Sequence, residues 1–86
     1  MELRHLQHFT ALAQEGSFTR AARKVNIVQS ALSHAIKELE GELGSRLVER
    51  TTCKVSNTKT NMLFLQHARA ALASLESAVQ AVRSQD

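Results

Sequence analysis

Gln29, Ser30, Ser33 and His34 are four hydrogen-bonding side chains crowded into the start of a stretch, Val28 to Leu43, whose other positions are apolar at helical spacing. Amide, hydroxyl and imidazole groups match the donors and acceptors of base edges in the major groove, where an inserted helix makes its base contacts from its first turns. Leu32, Ile36, Leu39 and Leu43 recur at intervals of three and four, the stripe of a helix laid on a core. The four polar residues therefore point away from that core. The stretch reads as a recognition helix for double-stranded DNA.

No other constellation supports a reaction. There is no Gly-rich phosphate loop, no set of Cys, His and acid, and no carboxylate pair in an evident pocket, so the chain does not read as an enzyme and no cofactor is expected. Glu38, Glu40 and Glu42 read as solvated helix charges partly paired with Lys37 and Arg46. His5 and His8 lie one turn apart, a metal-chelating spacing, but no Cys or nearby acid completes a site. They read as surface histidines with no metal.

The charge is placed more tellingly than its total of +3 indicates. Basic and acidic side chains balance in residues 1–43 and again in 61–86, whereas Arg46, Arg50, Lys54 and Lys59 face only Glu49. A basic excess confined to one short segment points to a polyanion contact there, or to a solvated basic loop.

The elements that position these groups follow from composition. Eighty-six residues, 43% hydrophobic, with no Trp or Tyr and three Phe, make one small unit with an aliphatic core, marginal when alone. No Pro and three Gly favour long helices. Leu3, Leu6, Phe9, Leu12 and Ala13 line one face of a first helix, and Gly16 caps it. Ser17 caps a second helix, Phe18 to Val25, with Phe18, Ala21, Ala22 and Val25 inward. Asn26 then takes the tight turn, which completes a helix-turn-helix. Gly41 lies inside the third helix and Gly44 ends it. Leu47 to Arg50 and Lys54 to Ser56 form a β-hairpin wing whose basic residues can grip phosphates.

From Thr58 one long helix runs to about Ser84. Its Leu65, Ala68, Leu72, Leu75, Val79 and Val82 alternate at three and four, a narrow seam that asks for a partner helix and so predicts a homodimer. Packing back on its own domain is the alternative. The division is 1–57 for DNA binding and 58–86 for linking and dimerisation. Lone Cys53 forms no internal disulfide, no apolar run approaches the roughly 20 residues that span a bilayer, and the N-terminus is no signal peptide. A soluble, cytoplasmic protein without a membrane partner is expected.

The words ELRHL, EGSFTRAA, QSALS, LE..LG and RL.ER closely resemble the N-terminal DNA-binding domain of LysR-type transcriptional regulators, and HARAALASLESA resembles that family's linker helix. The resemblance implies a mainly all-α fold, a winged helix-turn-helix with a short β-hairpin wing and a long C-terminal linker helix, dimeric on a pseudo-palindromic site. By position it places Gln29, Ser30, Ser33 and His34 at bases, Lys37, Arg50 and Thr52 at phosphates, and Cys53 at the wing tip, with Lys54 beside it. Family members usually continue into an effector-binding domain, so no small-molecule effector is expected for residues 1–86. A second reading, a helical interaction protein with weakened DNA contacts that pairs with another regulator, follows from departures at functional places. Val28 stands for a capping serine worth about 1 kcal/mol. His34 and Cys53 stand for arginines, Val48 for phenylalanine, Asn57 for an apolar residue and Asn61 for glycine.

An imidazole in water changes charge near pH 6.5, so a His34 that donates to a base or phosphate predicts DNA affinity rising as pH falls from about 8 to 6. Binding isotherms across that range check it. A flat profile, or the same profile in His34→Ala, removes the contact.

Overall fold

Each break between helices falls on a residue suited to make it. The computed structural model describes residues 1–49, 54–56 and 58–85, ordered as α1 (Leu3–Glu15), α2 (Phe18–Val25), α3 (Gln29–Leu43), β1 (Val48–Glu49), β2 (Lys54–Val55) and α4 (Lys59–Arg83). Ser17 Oγ accepts from the Arg20 N–H at 3.3 Å, and Thr58 Oγ1 accepts from the Asn61 N–H at 3.2 Å, each satisfying a donor that its helix leaves open. Asn26, at φ 66°, makes the turn between α2 and α3 in the left-handed region. Val28 caps α3 with no side-chain hydrogen bond.

Phe9 and Leu12 of α1, Leu32 and Leu39 of α3, and Leu47 before the wing are at most 1% exposed and form one cluster with Ala21, Ala22, Ile36, Val48 and Leu65. Each large side chain so buried contributes about 1.5–3 kcal/mol relative to exposure. The buried arc of α1 departs from the expected stripe. Leu3 is exposed and Leu6 and Ala13 are half-buried, whereas Ala11 and His5 are buried. Packing explains it, because α2, α3 and α4 all contact α1 and cover more than one face.

His5 and His8 are therefore not the fully exposed surface histidines expected. His5 is 4% exposed; its Nδ1 accepts from the Glu2 N–H at 2.9 Å, which places the neutral ring's proton on Nε2, 3.7 Å from Glu38 Oε1. His8 is half-buried and its Nδ1 has no hydrogen-bond partner among the described residues. Among the described residues no group of His, Cys, Asp or Glu forms a metal cluster.

Within the described part of the wing Val48 pairs with Val55 and Glu49 with Lys54, antiparallel, while the Ser56 N–H donates to Leu47 O at 2.9 Å below the ladder. Arg50, Thr52, Cys53 and Asn57 lie outside the described residues. Two side chains root the wing in the helical body. Glu40 is no solvated charge, since its Oε2 accepts from the N–H groups of Leu47 at 2.8 Å and Val48 at 3.3 Å. Asn61, 1% exposed, donates from Nδ2 to Leu47 O at 3.3 Å and Ser56 O at 3.4 Å.

Helix α4 uses its apolar stripe twice. Leu65 and Ala68 are buried, and neighbouring Phe64 meets Phe9 with ring centroids 5.5 Å apart. Leu72 is half-buried, and Leu75, Val79 and Val82 are exposed on a helix that reaches beyond the body, giving the molecule a 52 Å long axis. The two readings of the stripe thus divide along its length: the first turns pack back on the domain, and the last present an uncovered edge.

Burial, then His5, then Arg4 lower the pKa of His8 below 6.5. The unfolded chain then binds the proton more readily than the folded one, so stability is full above about pH 6.5 and declines as pH falls through the folded value. The urea midpoint is expected to be lower at pH 5.5 than at 7.5, and His8→Gln to flatten that difference. An unchanged difference in the variant would place the proton elsewhere.

Candidate nucleic-acid interface

Helix α3 presents its unburied side as a continuous polar front. Gln29, Ser30, His34 and Lys37 are exposed and Ser33 is half-buried, while Leu32, Ala35, Ile36 and Leu39 of the opposite side are buried. The tertiary fold thus brings together all four residues predicted to meet bases, along with Lys37. It also sets them beside the wing: a shallow cleft is bordered by Gln29, Ser33, Lys37, Val48 and Glu49. Lys54, across the ladder from Glu49, is exposed on the same hairpin. Arg50, Thr52 and Cys53 belong to the part of the wing outside the described residues.

The charges around this front are distributed differently from the expected pairing. Glu42 holds the N-terminal ammonium at 2.6 Å, and Glu38 lies 3.7 Å from both His5 and His34. Among the described residues Lys37 and Arg46 make no ion pair. The Lys37 ammonium is left in solvent on the polar front, where an anion meets it without first displacing a partner. On α2, Arg20 and Lys24 are both turned toward Glu15, at 3.8 and 3.5 Å, and Lys24 also donates to Gln14 Oε1 at 2.6 Å.

One contact at the front was invisible in the sequence. Thr19 Oγ1 on α2 donates to Gln29 Oε1 at 3.2 Å, ten residues on and across the turn. With the amide oxygen engaged, the NH2 group is the part of Gln29 left to donate, a match for acceptors such as guanine O6 and N7, adenine N7 or thymine O4. In the sequence Thr19 is marked only by lying outside the inward set Phe18, Ala21, Ala22 and Val25. Its role depends on the angle at which α2 crosses α3, for which no local signal exists.

Among the described residues no helix is long and apolar enough to cross a membrane. Residues 3–60 match the family model for the bacterial regulatory helix-turn-helix protein, lysR family. The chain is 45% identical over 80 residues to the HTH-type transcriptional regulator AlsR of Bacillus subtilis, covering 93% of this chain and 26% of that protein. It is 52% identical over 68 residues to the SDS degradation transcriptional activation protein of a Pseudomonas species, covering 79% of this chain and 22% of that one. The chain thus spans about a quarter of the length of these curated relatives. Among solved structures, the DNA-binding domain of BenM in complex with benA site 1 DNA superposes with a TM-score of 0.86 at 41% identity, covering 96% of this chain and 93% of that one. BenM in Acinetobacter baylyi is likewise an HTH-type transcriptional regulator. The CbnR DNA-binding domain in its DNA complex gives a TM-score of 0.86 at 30% identity, covering 98% and 97%.

Thr19→Val keeps the shape of residue 19 and removes the hydroxyl. A freed Gln29 amide accepts as well as donates, so base preference at one position of a bound site is expected to relax about two- to tenfold, the worth of one hydrogen bond. Competition binding with all four bases at each position measures it, and an unaltered preference would show that Thr19 orients nothing.

Proposed function

Because the chain belongs to the LysR family of bacterial helix-turn-helix regulators, we propose that it reads double-stranded DNA by sequence as the DNA-binding part of a transcriptional regulator, dimeric on a pseudo-palindromic site. The observation that carries this is the two-sided α3, with one side sunk in the core and the other exposing Gln29, Ser30, His34 and Lys37 with Ser33 between them. DNA complexes of two structural relatives support the same use of the fold. In this reading residues 1–57 bind DNA: Gln29, Ser30, Ser33 and His34 meet base edges, and Lys37, Arg50, Thr52, Cys53 and Lys54 meet the backbone or the adjacent minor groove.

Residues 58–86 link and pair. Leu72, Leu75, Val79 and Val82 form the seam with a second copy, and Leu65 and Ala68 anchor that seam to the DNA-binding body. A twofold pair of recognition helices suits an inverted repeat with half-sites one helical turn apart. No chemistry is catalysed and no cofactor is needed for this role, and the cytoplasm, where bacterial DNA lies, is its place. The exposed edge of α4 also favours a second reading, in which the chain chiefly pairs with another regulator and contacts DNA weakly.

Selection from a pool of random duplexes, at low and moderate salt and with the particle mass measured, separates the two. The first reading predicts enrichment of an inverted repeat by a dimer, with affinity falling steeply as salt rises because bound lysines and arginines release counterions. A stable dimer that enriches no sequence would instead establish the pairing role.

A further inference from the structure

Val28 is the residue on which α3 begins, and nothing inside the protein accounts for its side chain. It is 69% exposed, and it stands apart from the core that its neighbour Ile27 packs against. Its backbone does the work of a cap, with its carbonyl accepting from the N–H groups of Ala31 at 3.1 Å and Leu32 at 3.2 Å, but its isopropyl group satisfies none of the open donors. A serine or threonine here would add a capping hydrogen bond. The valine therefore forgoes local stability and also places apolar surface in water.

Its position gives that surface a use. Val28 sits immediately before Gln29 and Ser30 at the leading end of the polar front, in a shallow groove whose rim also holds Thr19 and Arg23. Arg23 is exposed and makes no ion pair among the described residues, so a cation is available beside the valine to meet a phosphate. An α3 that enters a major groove by this end carries Val28 in with Gln29. The groove edge of DNA offers one apolar group, the C5-methyl of thymine, alongside nitrogen and oxygen donors and acceptors. An isopropyl group gains from meeting that methyl and gains nothing from the polar edges.

We propose that Val28 is a specificity-determining residue that selects a thymine, by contact with its C5-methyl, at one position in each half-site. The inference rests on the proposed DNA-reading role and deepens it by naming one base and the atom recognised. Burial of one methyl group predicts a three- to fivefold preference for thymine over uracil at that position.

The test uses a duplex selected from a random pool by the unaltered protein. Each thymine in it is replaced singly by deoxyuridine, which removes the methyl and keeps every hydrogen-bonding group. One thymine per half-site is expected to show a three- to fivefold loss of affinity, and 5-methylcytosine in place of cytosine at that position to bind better than cytosine. In Val28→Ser, which gains a cap and so folds at least as well, that sensitivity should vanish while responses to other thymines persist. Val28→Thr, which retains one methyl, should fall between. A uracil scan that is flat, or identical in Val28→Ser, overturns the assignment while leaving the DNA-reading role intact. A pool in which no sequence is enriched overturns both.

Discussion

Leu32, Ile36 and Leu39 of α3 share one buried cluster with Phe9 and Leu12 of α1, and this contact fixes the rotation of α3 about its own axis. A turn by a single residue, about 100°, would draw Ser33 toward the core and push Leu32 out. Such a change loses apolar burial and desolvates a hydroxyl without a partner, and both costs have the same sign. The polar front is therefore defined by what lies behind it. No residue of the front needs to hold the helix in place, which leaves Gln29, Ser30, Ser33 and His34 free to be chosen for what they meet outside.

The wing has the opposite problem, because two residues in each strand bury too little to stand alone. It is held at its root. Glu40 accepts from two backbone N–H groups at the start of β1, and Asn61 donates to carbonyls on both sides of the hairpin, so α3 and α4 grip it from either flank. A carboxylate receiving two N–H groups makes stronger bonds than a neutral acceptor. Asn61 at this place also explains how a residue other than glycine fits: its Nδ2 group is spent on the loop that closes over it. Val48, smaller than the family's usual phenylalanine, still reaches the core at 8% exposure.

Helix α4 joins two tasks along one stripe. Its first turns complete the core through Leu65 and Ala68, so the helix leaves the body in a direction set by packing rather than by a flexible hinge. Its last turns carry Leu75, Val79 and Val82 into solvent. The pairing proposed above would use that edge, because an apolar strip on a directed helix can hold two copies at the defined separation that a twofold reader of a repeat requires.

Much of this was legible in residue types and spacing. Ser17, Asn26, Gly44 and Thr58 mark helix ends because capping and left-handed backbone are local demands that few side chains satisfy. The stripe from Leu32 to Leu43 announced the inner face of α3, and hence the outer one, because helical periodicity needs no knowledge of what the helix packs against. What only the tertiary structure decided are the contacts between segments distant in sequence. His5 and His8 look like surface residues until three helices close around α1; Glu40 looks like a solvated charge until the wing's N–H groups arrive above it. Leu65 and Ala68 belong by spacing to the same seam as Val79, and only the place where the body ends divides them. Thr19 touches Gln29 because of a crossing angle. Local chemistry wrote the elements and their faces, whereas the partners across each gap were settled by packing, which depends on the whole chain at once.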